Sequence, residues 1–252
     1  MAKISALILA KNEEHNIEDC IKSVLFCEEV LVIDDFSTDR TKEIAENLGA
    51  RVVQHNMNGD WGRQRTFAIR NASFAWVLFV DADERISDEL AEEIKTVVGA
   101  GEKYACRIRR ENRFHFNKAT HGVLKEDYVT RLFPKEGSIS EGFVHEVIKA
   151  PYPDKKLKHV MYHYTYDNWD QYFNKFNNYT RLSAEKYRKD GKRCNFFLDI
   201  VLRPAWAFLK AYIFDLGFLD GKMGWILSVN HYCYTMNKYV KLYYLYKSNG
   251  KL

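Results

Sequence analysis

The sequence predicts an α/β protein: a mostly parallel central sheet with flanking helices over residues 1–150, then a helical, aromatic-rich extension over 151–252. Three observations point to it. Apolar segments of strand length alternate with segments of helical spacing through the first 100 residues, the order that builds a doubly wound sheet. The segments that read as buried strands stop abruptly in polar or acidic residues. The composition also shifts along the chain. Residues 155–252 carry 17 Lys and Arg against 7 Asp and Glu, a net +10, while 1–154 stand at −6. About two-thirds of the Trp, Tyr and Phe lie after residue 151. An acidic front and a basic, aromatic back suggest two regions with different partners.

The elements follow in order. ISALILA (4–10) is a continuous apolar run, read as a first strand rather than a signal peptide because Lys11 breaks it and no cleavage signature follows. NIEDCIKSVLF (16–26) places Ile17, Ile21, Val24 and Leu25 at helical spacing. VLVID (30–34) is a second strand, STDRTKEIAENLG (37–49) a helix with Gly49 as its stop, and RVVQH (51–55) a third strand. A third helix spans 61–72 and WVLFVD (76–81) is a fourth strand. The helix over 87–99 takes Ser87 as N-cap, with Glu89 in its first turn. Residues 104–114, 128–133 and 143–148 read as strands, and 165–247 as helical.

With 29% charged and 46% hydrophobic residues, this is an ordinary folded chain. Five scattered cysteines without a CxxC pair argue for a reducing compartment and against a disulfide framework or zinc site. The longest apolar stretch of the extension, WAFLKAYIFDLGFL (206–219), is broken by Lys210 and Asp215, short of the roughly 18 apolar residues of a spanning helix.

In parallel α/β sheets, ligands sit outside the carboxyl ends of the strands. There stand Ala10-Lys11-Asn12-Glu13, Asp34-Asp35 and Asp81-Ala82-Asp83-Glu84. Asp34-Asp35 serves either as turn chemistry or as acceptors for a nucleotide's base and ribose. Asp81-Ala82-Asp83 serves either as a solvated turn or as a D-x-D that holds a divalent cation, Mn²⁺ or Mg²⁺, against a diphosphate. A dinucleotide fingerprint, a P-loop and a G-x-S-x-G elbow are all missing, which excludes three competing classes.

In combination, ALILAKNEEHNI, VLVIDDFSTDRT and FVDADE resemble the inverting family 2 glycosyltransferases of GT-A fold. EGFVHE (141–146), RPAWAFLKAY (203–212) and GFLDGKMGW (217–225) resemble, more narrowly, bacterial heptose β-1,4-glucosyltransferases of the lipopolysaccharide core. The resemblance implies a UDP-sugar donor, UDP-glucose in particular, and a divalent cation. Ala10, Asn12 and Glu13 match the first nucleotide-contacting loop, and Asp34 and Asp35 the uracil and ribose position. Arg65 matches the Arg of an Arg-Asn pair whose Asn is replaced by Thr66. Asp81, Ala82 and Asp83 match the D-x-D, with Asp83, and Asp81 beside it, at the metal and Asp81 also facing the ribose. Glu84 has no role beyond the turn.

Inversion needs a base for the acceptor hydroxyl. Glu146 is the first candidate, with His145 able to orient it, and Asp127 the reserve. His159 and His163 read first as core or aromatic-cluster histidines, with a metal or diphosphate role for His163 as the second reading. The implied acceptor is a lipid-linked saccharide such as a core heptose; another cell-surface polysaccharide or polyprenyl-linked acceptor, or a non-catalytic nucleotide-sugar or membrane-binding scaffold, are the alternatives. The basic, aromatic extension suits an anionic membrane surface, giving a cytoplasmic protein peripheral on the inner face of the cytoplasmic membrane. A nucleic-acid partner is not expected, because the acidic rim would repel its backbone.

Overall fold

The computed structural model describes residues 2–114, 117–118, 121–142, 147–166 and 169–251. The chain divides into two units, Met1–Glu111 with Asp127–His163, and Asn112–Glu126 with Tyr164–Leu252.

In the first unit, β1 (Ile4–Ala10), β2 (Glu29–Asp34), β3 (Arg51–Gln54) and β4 (Trp76–Asp81) form a parallel sheet in the order β3-β2-β1-β4. β1 is central and buried along its whole length, which is why its seven residues read as an unbroken apolar run. Its alternation sorts them between two cores. Ile4, Ala6 and Ile8 share one with α1 (Ile17–Ser23) and α4 (Asp88–Gly99), through Ile21, Leu90 and Ile94. Leu7 and Leu9 share the other with Phe79 and with Ala68 and Ile69 of α3 (Trp61–Asn71). Each fully buried side chain of this size contributes about 1.5–3 kcal/mol. Ser87 caps α4 as expected, accepting the Leu90 N–H at 3.2 Å.

The helix after β2, α2 (Thr41–Asn47), starts four residues later than expected. Side chains claim the preceding backbone: Asn12 Oδ1 accepts the Thr38 N–H at 2.8 Å and Asp39 Oδ1 the Thr41 N–H at 3.0 Å. Such local bonds compete with helix formation. Gly49 stops the chain in left-handed conformation, φ +83°, as its position suggested.

Beyond β4 the sheet turns antiparallel. The remaining strands are β5 (Glu84–Ile86), β6 (Ala105–Phe114), β7 (Asn117–Lys118), β8 (Asp127–Pro134), β9 (Ile139–Glu141), β10 (Val147–Lys149) and β11 (Asp154–Tyr166). β8 joins β4 to β6, β11 and β5 continue beyond β6, and β9 and β10 form a separate hairpin. The strand expected over 143–148 is described only from Val147. β5 and β11 were not anticipated. β11 carries the sheet past residue 150, and its residues up to His163 belong to the first unit.

In the second unit, α5 (Trp169–Lys189) precedes a π-helical stretch Phe196–Leu202, α6 (Arg203–Leu209), a second π-helical stretch Lys210–Phe214, a turn Gly217–Asp220 and α7 (Gly221–Lys247). α5 packs on α7 through Tyr172, Phe176 and Leu227, and again through Ala184, Tyr239 and Leu242. Lys241 Nζ ties the pair by donating to the Asn177 carbonyl (2.9 Å) and to Thr180 Oγ1 (2.8 Å). Gly224 presses on the Gly217 carbonyl, 1.7 Å from where a Cβ would stand, so only glycine fits. Among the described residues, no helix is long and apolar enough to cross a membrane.

Candidate active site

Register brings the strand ends level. Ala10 lies opposite Asp34, and Leu9 opposite Asp81, so the polar residues that follow β1, β2 and β4 collect on one rim. There Ala10, Asn12, Glu13, Asp34 and Asp35 form a zipped pair of loops. The Asp35 N–H donates to the Ala10 carbonyl at 2.9 Å, and the Glu13 N–H to Thr41 Oγ1 at 2.7 Å. Asn12 holds φ +55°, a conformation its side chain type tolerates, and receives support from Ser37 and Thr38. Asp34 is wholly buried and accepts from the Ser37 N–H and from Gln54 Nε2 at 3.0 Å. Its carboxylate therefore holds the turn. Asp35 accepts the Met57 N–H at 3.0 Å and pairs with Lys11 Nζ at 2.8 Å. Lys11 was not anticipated as its partner.

The acidic end of β4 is neutralised mainly by arginines. Asp81 Oδ1 accepts from Arg65 Nη2 at 2.8 Å and Asp81 Oδ2 from Arg131 Nη2. The same Arg131 nitrogen donates to Glu84 Oε1 at 2.6 Å, and Arg110 Nη1 stands 3.5 Å from that oxygen. Glu84 is fully buried, and its other oxygen accepts the Asp81 N–H at 2.9 Å. So Glu84 is the hub of a buried network, which corrects its reading as a mere turn residue. Burial alone would raise the Asp81 carboxyl, but Arg131 and Arg65 hold it well below the usual range. Glu84 is pushed up by burial and by Asp81 beside it, against the opposing pull of Arg131.

Asp83 differs. It is partly exposed, and its partner is His163, whose Nε2 stands 3.3 Å from Oδ2. β11 delivers that histidine, in register opposite Glu84. Burial opposes protonation of His163, but Asp83 and then Glu84 raise it above its ordinary value. Ala82 contributes its carbonyl, which accepts from Arg85 Nη1 at 2.7 Å, while Arg85 Nη2 reaches the Asn16 carbonyl and clamps the turn to the start of α1.

Among the described residues, no three His, Cys, Asp or Glu side chains form a metal cage. A hard cation is commonly held by one or two carboxylates together with substrate phosphates. Asp83 has the chemistry for it, whereas both Asp81 oxygens are engaged by guanidinium groups.

The model of the family described as glycosyl transferase family 2 matches residues 5–145 of the chain. The chain belongs to glycosyl transferase family 2. An uncharacterized glycosyltransferase of Rickettsia prowazekii is 30% identical over 243 residues, 91% of this chain and 82% of the relative. The lipopolysaccharide core biosynthesis glycosyltransferase LpsC of Rhizobium meliloti is 25% identical over 250 residues, 95% and 92% of the two chains. The crystal structure of Staphylococcus aureus TarS 1-349 in complex with UDP-GlcNAc aligns with 98% of this chain and 92% of its own, at 17% identity and a TM-score of 0.49. The protein is thus a glycosyltransferase, built on the α/β sheet that the resemblance implied.

Within this family 2 enzyme, the two candidate bases stand differently. Glu146, with His145, lies outside the described residues. Asp127 is gripped by Arg110 through two bonds, Nε to Oδ1 at 2.9 Å and Nη2 to Oδ2. Burial would raise its carboxyl, but Arg110, His163 and Arg131 lower it, which makes it a weak proton acceptor. Thr66, where the family usually has Asn, accepts the Ser140 N–H at 3.0 Å and donates to the Ser140 carbonyl at 2.9 Å, pinning β9. His159 is exposed and pairs with Glu93 at 2.9 Å, which corrects its reading as a core or aromatic-cluster histidine.

Arg131, Arg110 and the placing of His163 are what sequence reading missed. Two signals existed. Arg131 interrupts a strand whose neighbours are core residues, and such a charge needs a buried partner. HVMYHYTY alternates at period two, with Met161 wholly buried between His159 and His163.

Proposed function

We propose that the protein is a metal-dependent inverting glycosyltransferase that moves a hexose, glucose in our reading, from a UDP-sugar to a lipid-linked saccharide such as a lipopolysaccharide core heptose. The observation that carries it is the division of labour at the end of β4: Asp81 is locked between Arg65 and Arg131, and Asp83 is left on the rim without a guanidinium partner among the described residues. The relative named for lipopolysaccharide core biosynthesis supports the acceptor class. The cytoplasmic face of the cytoplasmic membrane is the place where such an acceptor and a nucleotide sugar meet.

In this mechanism Asp35, pinned by Lys11 and the Met57 N–H, accepts hydrogen bonds from uracil and ribose. Asp81 presents its remaining lone pairs to the ribose, its orientation set by two arginines. Asp83 would hold Mn²⁺ or Mg²⁺, which would supply positive charge for the departing diphosphate. Glu146 takes the proton from the acceptor hydroxyl as its oxygen attacks the anomeric carbon from the face opposite UDP. The bond to the diphosphate breaks and the configuration inverts.

Asp83→Ala and Glu146→Gln should each lower transfer, followed by UDP release with acceptor present, by about a thousandfold or more. Only Asp83→Ala should weaken Mn²⁺-dependent UDP binding, measured by calorimetry. Full turnover by either variant removes that residue from the mechanism.

A further inference from the structure

The segment from Phe196 to Leu219 violates the usual sorting of side chains. Phe196, Phe197, Leu202, Trp206, Phe214 and Leu219 are each 57–71% exposed. Large apolar side chains occur singly on most surfaces; a dense run on one continuous helical stretch marks a contact surface. Two of the three helical pieces are π-helical, a geometry that is rare and concentrates at functional sites. Leu216 adds an unusual detail. It holds φ +59°, which glycine adopts more readily, yet its side chain remains exposed.

The charges around this surface are sorted as well. All three carboxylates between residues 192 and 222 have side-chain partners, cationic ones for Asp199 and Asp215 and a histidine for Asp220. Asp199 accepts from Arg203 Nε at 2.6 Å, Asp215 pairs with Lys210 at 2.6 Å and Lys125 at 2.9 Å, and Asp220 lies 2.8 Å from His121 Nδ1. Arg193 and Lys222 are exposed, and neither has a carboxylate partner among the described residues. Backbone groups are closed internally too, as where the Asp215 N–H donates to the Lys210 carbonyl at 2.7 Å. Such a surface offers apolar groups and net positive charge, with each acid held by a side-chain partner.

We propose that Phe196–Leu219 is a membrane-dipping element that sinks its Phe, Leu and Trp side chains into the interface of an anionic bilayer, with Arg193 and Lys222 at the level of the headgroups. The proposal deepens the reading of a lipid-linked acceptor and rests on it. Charge complementarity selects this occupant. A two-fold contact between copies of the chain would set the patch on its equivalent, which offers Arg193 and Lys222 no carboxylate without a partner of its own. An anionic lipid surface meets the same cations favourably, by a factor of about five in affinity for each. An interfacial helix with an apolar face buries it to a depth of about 5–10 Å without spanning.

The test is flotation of the full chain with vesicles of phosphatidylcholine alone and of phosphatidylcholine mixed with phosphatidylglycerol. The protein should float with the mixed vesicles. Phe197→Ser with Phe214→Ser should lower the partition coefficient by about tenfold or more, since each buried aromatic is worth roughly that factor. Arg193→Glu with Lys222→Glu should lower binding to mixed vesicles and leave the weak binding to neutral ones unchanged. A second readout needs no variant: Trp206 and Trp225 are both more than half exposed, so lipids carrying a quencher in their acyl chains should quench the wild-type fluorescence. Unquenched fluorescence, or flotation unaffected by the Phe substitutions, overturns the proposal. So does a concentration-dependent dimer in the ultracentrifuge that the Phe substitutions abolish. Mn²⁺-dependent UDP binding, measured on the same Phe variant, should equal that of the wild type. Its loss in the wild-type protein would count against the proposed reaction and not against this surface.

Discussion

The two units invert the usual sorting of residues in opposite directions. The first keeps charge inside: Asp34, Glu84, Arg65 and Arg131 are all buried near the strand ends. The second keeps apolar surface outside, with Phe197 and Phe214 its most exposed large side chains. Both arrangements cost free energy in an isolated chain, through desolvation in one case and hydration of apolar area in the other. Where a fold retains such a cost, the position is set by a ligand or a partner more than by stability. In the first unit the buried Arg65 and Arg131 hold Asp81, while Asp83 pairs with His163 instead. In the second, the bilayer contact proposed above would take the exposed aromatics out of water.

Removing a charge from the first unit should have the largest effect. Arg131→Met leaves Glu84 buried without its closest cation and should cost about 3–5 kcal/mol in urea denaturation, while adding Glu84→Gln should recover part of that loss. If the single variant is as stable as the wild type, the network is ornamental and the contrast between the units fails.

A smaller effect sharpens the contrast with a carboxylate at the opposite end of the strands. Burial would raise Glu29, but bonds from Ser5, Ser73 and Arg51 bring it down to about 2 from an ordinary 4.5. A lowered folded-state pKa gives stability that is complete above about pH 4.5 and lost as pH falls towards about 2. Glu29→Gln should therefore flatten the acid side of a stability–pH profile and lower stability at neutral pH. An unchanged acid limb would mean that the carboxylate gains nothing from its partners.

The smallest effect belongs to the second unit. Phe197→Ser with Phe214→Ser should change stability in vesicle-free solution by no more than about 0.5 kcal/mol for each residue, because both side chains lie mostly in solvent and each touches a ring, Phe196 or Trp206, that is itself exposed. A large loss would make these residues core, and the two units would then sort their side chains alike.

The alternation of β1, α1, β2, α2, β3, α3 and β4 was legible because periodicity is a local property, and β1 and β4 have the ends the sequence expected. Strands β5 and β11 were not, since three residues after a D-x-D carry no period and HVMYHYTY mixes aromatic and ionisable groups. Asp34 and Asp35 looked equivalent as neighbours. Their separation into a turn holder and a rim acceptor came from Gln54 and Lys11, both distant in sequence.

By itself, then, the sequence determined that acids would gather at the carboxyl ends of parallel strands, because strand order and alternation follow from residue type over short windows. Only the tertiary structure decided which cation each acid meets. Asp81 finds Arg65 sixteen residues away and Arg131 fifty away, and Glu84 finds Arg131 across forty-seven. Electrostatic neutralisation is a matter of distance in space: the strand around Arg131 shows locally that it needs a buried partner, but not which one.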